Sequence, residues 1–369
     1  MKVKAPSRLL LPLAALLLLQ SVAAAQDARS ALASLPDSQA VLYINARRLI
    51  NEAAPSVVPP EALNKAVNDV KQFVDLRGLD FVIVGARFKA DAPTQQLPEV
   101  LLIARGNFSA DGLLSAARIA GQGMYREETY GTKTVNVFRL KKDAPPNGEQ
   151  PASKFPIDEV AATALDANTL AVGIPAYLRD ALATNGDGPA RLKPELIDLA
   201  LRDSNTIVSL VADVPASSSK YLRMIGVPPN AEGDRLVDAL RQVQLSVSMM
   251  PETFGVQSII RMDGNPNANA LSGLIKVGAN FVEGELQKDV AKTGGRDEKA
   301  AGALNVLKTL TNAVNNNEVA LGLTFRQAVV ADILKKEMMP PKKQEAAIAP
   351  APGAKKATTT RRRTRRGRR

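Results

Sequence analysis

Asp37-Ser38-Gln39-Ala40-Val41 and, 166 residues on, Asp203-Ser204-Asn205-Thr206-Ile207 open two stretches of the same design. Gly106-Asn107-Phe108-Ser109-Ala110-Asp111-Gly112-Leu113 is echoed after 158 residues by Gly264-Asn265-Pro266-Asn267-Ala268-Asn269-Ala270-Leu271. Asn168-Thr169-Leu170-Ala171-Val172-Gly173 is echoed after 149 residues by Asn317-Glu318-Val319-Ala320-Leu321-Gly322. Chance supplies one such match easily; three in the same order indicate one structural unit present twice. The units are expected to span residues 26–202 and 203–341.

Working outward, Ala40 to Ile44 has the apolar, β-branched character of a buried strand. Pro59-Pro60 then leads a helix carrying Leu63, Val67, Val70, Phe73 and Val74 at helical spacing. Phe81 to Val84 and Val100 to Ile103 read as a hairpin around the polar loop Ala90 to Pro98. Ser109 is placed to cap the next helix, which carries Leu113, Leu114 and Ala117. Thr134 to Phe138 alternates like a half-buried strand, Pro145 to Pro156 is a loop, and Ala161 to Gly173 turns back on itself at Asp166-Ala167-Asn168. Tyr177 to Ala183 and Pro194 to Leu201 read as helices. In the second unit Thr206 to Val211 is a strand, Asp234 to Gln242 a helix, and Gln244 to Met250 with Phe254 to Met262 a hairpin around Pro251-Glu252. Asn267 is expected to cap a helix through Leu286, Ala300 to Ala313 to form another, Glu318 to Thr324 a return strand, and Gln327 to Lys336 a last helix stopped at Pro340-Pro341. The expected fold is α+β: two tandem related β-α-β-β-α-β units, a largely antiparallel sheet, and helices on one face.

Leu35-Pro36-Asp37, this order of elements, and Ala164-Leu165-Asp166-Ala167-Asn168-Thr169-Leu170-Ala171-Val172-Gly173 resemble uncharacterised bacterial exported proteins grouped as domains of unknown function. The resemblance spans residues 30 to 337. It implies an exported α+β protein and supplies no catalytic residues.

The N-terminus reads as an address. Lys2, Lys4 and Arg8 precede the apolar run Leu9 to Leu19, and Ala23-Ala24-Ala25 fits a small-residue cleavage site before Gln26. Residues 1–25 are therefore expected to be a secretory signal peptide, too short in its apolar run for a span of about 20 residues. The body is placed in the periplasm or outside the cell. There is no cysteine, so stability is expected from packing alone. There is no histidine, which removes Ser-His-Asp and Cys-His catalysis and His-ligated zinc within the chain. Tryptophan is absent and aromatic residues are 4%, a poor base- or sugar-stacking platform.

Two motifs invite a catalytic reading. Ser217-Ser218-Ser219-Lys220 matches Ser-x-x-Lys, and Lys292-Thr293-Gly294 follows, a pairing used by acyl-serine enzymes in which the lysine assists the serine. No Ser-x-Asn or Tyr-x-Asn lies between them, and Lys292-Thr293-Gly294 falls between helices rather than on a strand. A polar cap and a turn account for both, so no catalytic residue is assigned, with Ser217 and Lys220 the only candidates. Asp263 to Asn269 spaces oxygen ligands like a calcium loop, but the sixth and twelfth positions are Ala268 and Leu274, so helix capping is the better account and no metal site is assigned. Gly121-Gln122-Gly123 and Tyr130-Gly131-Thr132-Lys133 lack the spacing of a phosphate loop and read as turns. Asp158-Glu159 and Glu283-x-Glu285 read as solvated surface, and Met249-Met250 as core. No cofactor is called for.

The charge is concentrated at the ends. Of the net +11, residues 1–25 carry +3 and residues 342–369 carry +10, leaving a body of −2. Residues 342–369 hold too few apolar side chains to bury a core and are expected to be a disordered tail. Their anion-binding candidates are Arg361, Arg362, Arg363, Arg365, Arg366, Arg368 and Arg369, whose planar guanidinium groups suit phosphate and carboxylate. The expected function is that of a non-enzymatic exported envelope protein with a binding or scaffolding role, tethered by this tail to a lipid phosphate, acidic glycan or polyphosphate. DNA is a weaker fit, because the body is slightly acidic and the tail reads no sequence. The alternatives are a periplasmic small-molecule or lipid carrier with its pocket between sheet and helices, and an acyl-transfer enzyme built on Ser217 and Lys220.

Overall fold

A computed structural model of the protein describes residues 26–71, 74–87, 98–121, 123–140, 157–183, 191–215 and 230–338. The first unit begins with helix α1 (residues 26–33) and strand β1 (Ala40–Ile44). A helical path follows: α2 (Ala46–Arg48), a π-helical turn (Leu49–Ala53), α3 (Ala54–Val57) and α4 (Pro60–Val70). Then come β2 (Leu79–Arg87), β3 (Glu99–Gly106), α5 (Ala110–Ala120), β4 (Tyr125–Tyr130), β5 (Lys133–Arg139), β6 (Glu159–Asp166), β7 (Thr169–Gly173), α6 (Pro175–Leu182) and α7 (Pro194–Ala200). The second unit comprises β8 (Thr206–Asp213), α8 (Ala231–Asp238), β9 (Leu240–Met249), β10 (Thr253–Met262), α9 (Asn265–Lys292), α10 (Glu298–Leu307), β11 (Thr311–Asn315), β12 (Glu318–Arg326) and α11 (Gln327–Met338).

Among the described residues the strands join one twelve-stranded sheet in the order β11-β12-β10-β9-β8-β1-β2-β3-β7-β6-β5-β4. The order is a near palindrome about the β1–β8 pair. Outward from that pair, one half reads β1, β2, β3, β7, β6 and the other β8, β9, β10, β12, β11. The first half then adds the hairpin β4–β5 at its edge. Strands β1 and β8 pair antiparallel, with Leu42 opposite Leu210, which relates the two units by a local two-fold through the middle of the sheet.

The repeated residues do the same work in both halves. The Asn168 amide donates to the carbonyl of Phe108 at 3.0 Å, and the backbone N–H of Gly106 donates to the carbonyl of Asn168 at 3.1 Å. The Asn317 amide donates to the carbonyl of Met262 at 2.9 Å, and the N–H of Met262 donates to the carbonyl of Asn317 at 2.8 Å. Each return hairpin is thereby latched to the strand end that launches the long helix. This explains why the second and third sequence matches travel together.

The sheet carries helices on both faces, which corrects the one-sided expectation. Because successive side chains alternate, Val41, Tyr43, Ile83, Leu101, Ile103 and Val211 share one face. They pack with α1 (Ala28, Leu32), α6 (Tyr177, Leu178) and α7 (Leu196, Leu199) in the main core. The other face takes α8 and α9 over Ile260, Val319 and Leu321. It also takes the π-helical turn, α3 and α11 (Leu49, Val57, Val330) over Val208 and Val247.

Several helix boundaries differ from expectation: α9 runs on to Lys292 beyond Leu286, and α4 ends at Val70, short of Val74, with Phe73 outside the described residues. The helix read as Asp234 to Gln242 ends at Asp238, where Arg241 donates to the Asp238 carbonyl at 2.8 Å and Leu240 already begins β9. Asn267 is not the cap of α9: the helix starts at Asn265 behind Gly264, whose φ of +148° favours glycine, and Asn267 instead donates to Asp263 Oδ1 at 2.9 Å. The run Ala300 to Ala313 divides into α10, capped by Asp297 through bonds of 3.0 Å to the N–H groups of Lys299 and Ala300, and strand β11. Ser109 caps α5 as read, accepting from the Gly112 N–H at 3.0 Å.

Candidate functional site: an open apolar sheet face

Ser217, Lys220 and the tail arginines Arg361, Arg362, Arg363, Arg365, Arg366, Arg368 and Arg369 lie outside the described residues, as do residues 1–25. Lys292-Thr293-Gly294 closes the exposed C-terminal end of α9. The Lys292 ammonium pairs with Asp289 at 3.3 Å and the Thr293 hydroxyl donates to the Asp289 carbonyl at 3.0 Å, so the motif is a helix terminus rather than a strand beside a nucleophile. Asp263 is occupied by Arg241 at 2.6 Å and by Asn267, and no group of three or more acidic side chains able to hold a metal occurs among the described residues. Gly131, at φ +57°, makes the β4–β5 turn. Met249 packs beneath Phe254, whereas Met250 is 39% exposed and not core.

The ionisable clusters are structural braces. Glu159 accepts both guanidinium nitrogens of Arg126, at 2.6 and 3.0 Å, which holds its carboxyl below the usual range. Bonds from Tyr130, Arg126 and Arg179 lower Glu128 to about 2. These charges sit on and beside the edge strand β4, where they discourage another chain from adding to the sheet. Arg87 pairs with Glu99 at 2.6 Å and Asp180 at 2.5 Å, and its guanidinium lies 4.5 Å from the centre of the buried Tyr177 ring. This brace fixes α6 to the sheet.

What remains unexplained by the fold is apolar. Strands β1, β2, β3 and β8 are near-continuous apolar runs, the pattern of strands covered on both faces. Yet their burial alternates: the face beneath α1, α6 and α7 is closed, while the side chains between are only partly covered. Register sets those side chains in rows. One row crosses five strands as Leu102, Val84, Leu42, Leu210 and Leu245, and the next as Ala104, Val82, Ile44, Val208 and Val247. Leu210 is 43% and Leu245 46% exposed, although both lie in the middle of a twelve-stranded sheet. Among the described residues, the helices that pack on this face gather at its borders: α5 against β6, α9 against β10 to β12, and α11 with α3 at one end of the strands. At that end a depression of about 370 Å³ is lined by Arg48, Glu52, Asn205, Met249, Met250 and Pro251. At strand spacings of about 4.8 Å the five-strand row is roughly 19 Å long.

The fold and this surface define an α+β protein built on one large antiparallel sheet, apolar on both faces and incompletely covered on one. No family model and no curated protein matches the chain, so the resemblance to uncharacterised exported proteins carries no family assignment. Among solved structures it is similar to TP0453. Crystal form III shares 10% identity at a TM-score of 0.41, covering 83% of this chain and 97% of that one. Crystal form IV shares 10% identity at 0.42, covering 82% and 95%. Likenesses at this level assign neither family nor function.

The sequence pointed to the polar motifs and the tail, and missed this face. The signal was present as apolar runs without alternation, but such runs do not say which of two faces the helices leave open.

Proposed function

We propose that the protein is a non-enzymatic, exported binding protein of the cell envelope that holds the acyl chain of a lipid on the open face of its sheet. The observation that carries this reading is the five-strand row Leu102, Val84, Leu42, Leu210 and Leu245, partly covered over the first three, exposed at Leu210 and Leu245, and without a hydrogen-bonding side chain. Such a surface gains from removing apolar area from water, at about 25 cal/mol per Å², and offers nothing to a polar ligand. Its reach suits a long, narrow, apolar molecule. The Arg-rich tail supports the envelope setting: seven arginines within residues 361–369 supply the anion tether to lipid phosphate, acidic glycan or polyphosphate. The acyl-transfer alternative loses support from Lys292-Thr293-Gly294, which ends a helix and flanks no strand.

A fatty acid with a fluorescent end group, titrated into the full chain, is expected to bind saturably. Leu210→Gln with Leu245→Gln is expected to weaken that binding tenfold or more while circular dichroism and the melting midpoint hold. Equal binding by the double variant, or no saturable binding by the parent, overturns the reading.

A further inference from the structure

Helix α9 is apolar on two sides, and the fold uses only one. Its first half is held to the sheet through Ala268, Leu271 and Ile275 and through the bond from the Ser272 hydroxyl to Asn312 Oδ1 at 2.8 Å. Its length also packs against α10. On the opposite side Leu274 is 50%, Val277 68% and Phe281 69% exposed. Spacings of three and four residues place these three on one helix face, about 10 Å long at 1.5 Å per residue. Beyond Phe281 that face becomes charged, with ion pairs Lys288–Glu285 at 2.7 Å and Lys292–Asp289 at 3.3 Å. The stripe is therefore bounded, and its apolar residues are not required by packing.

We propose that this stripe is a membrane-contact face, with Leu274, Val277 and Phe281 entering the interfacial layer of an anionic lipid bilayer. The inference rests on the envelope setting proposed above but not on the sheet face or its ligand. Two considerations select a lipid surface over a second copy of the chain. Three partly exposed side chains of this size present on the order of 300 Å², less than half of what each partner of a stable dimer buries. A bilayer needs far less, because each inserted side chain contributes independently, and a small apolar insertion becomes stable anchoring once a basic segment supplies a second signal. This chain carries that segment: residues 342–369 hold a net +10. The stripe supplies the salt-resistant part of the interaction and the tail the salt-sensitive part.

The chain contains no tryptophan, so Phe281→Trp creates a single reporter within the stripe. With vesicles of phosphatidylglycerol and phosphatidylcholine, its emission is expected to shift to the blue and to be quenched by nitroxide-labelled acyl chains. Val277→Ser with Phe281→Ser is expected to lower partitioning in high salt about tenfold, with an unchanged melting midpoint. Emission that stays fixed while the vesicles carry the full chain down in a centrifuge overturns the proposal and leaves the tail tether standing. A blue shift that follows protein concentration without lipid assigns the stripe to a second copy and overturns it too. A shift that persists in a chain ending at Pro341 supports the stripe while removing the tail from the interaction.

Discussion

Gly106 ends β3 where an added Cβ would stand 2.6 Å from the carbonyl oxygen of Gly78 and 2.8 Å from the Cα of Leu79. Both obstacles are backbone, so neither can swing aside. Gly106→Ala is expected to destabilise the protein by about 1–3 kcal/mol through forced displacement of the β2–β3 register. Gly284, inside α9, has no atom within 4 Å of the corresponding position. There the same substitution meets no clash and removes backbone freedom from the unfolded chain, so Gly284→Ala is expected to stabilise by about 0.5–1 kcal/mol. Urea denaturation of the two variants should give opposite shifts in midpoint. Both moving the same way would contradict the packing described at one of the two positions. Neither sign was legible in the sequence, where both are glycines between polar neighbours, Arg105 and Asn107 in one case and Glu283 and Glu285 in the other; what separates them is the backbone at the start of β2, distant along the chain from one and absent from the other.

At the scale of elements, one carboxylate adds an ionic tie between the return hairpin β11–β12, its neighbour β10 and the end of the first unit. Glu318 accepts from Arg261 on β10 at 2.7 Å and from Arg202, at the end of the first unit, at 3.0 Å. Burial raises its pKa, but the two guanidinium groups outweigh burial and hold it below the usual carboxylate value. A carboxyl with a depressed folded-state pKa contributes stability that is fully present above its unfolded value and is lost as pH falls through the folded one. The wild type should therefore lose stability below about pH 4.5, and Glu318→Gln should be less stable at neutral pH with a flatter acid limb. Parallel acid limbs, measured as urea midpoints against pH, would remove Glu318 from the account. The hairpins themselves were legible, because apolar runs bracket turn residues such as Asp166-Ala167-Asn168 and Pro251-Glu252. Strand β4 was not: Tyr125-Arg-Glu-Glu-Thr-Tyr130 has no apolar face because it is an edge strand and buries little. Helix α1 was hidden differently. Its Ala28 and Leu32, fully buried with Leu35, show helical spacing too short to stand out beside the preceding apolar run. The open sheet face belongs to the same class, since it depends on where helices settle rather than on the strands' own residues.

The whole molecule has two sequence units but one sheet, and its stability should follow the sheet. The β1–β8 seam joins five residue pairs, from Ala40↔Ala212 to Ile44↔Val208, at the centre of the palindromic order. Val211 and Ile259 from the second unit lie in the same core as Leu32, Ile83 and Tyr177 from the first. Residues 26–202 alone would leave β1 an unpaired edge carrying apolar side chains on both faces, a state prone to pairing with other chains. Residues 203–338 alone would leave β8 in the same condition. The two units are therefore expected to unfold in one transition, with calorimetric and van't Hoff enthalpies equal. Each fragment expressed alone should be aggregation-prone, and mixing the two should restore the sheet signal in circular dichroism. Two resolved transitions, or a first fragment that is monomeric and cooperatively folded, would show that the seam is an interface between independent domains. The acyl-binding face would then be divided as well, since Leu42 and Leu210 meet only across that seam.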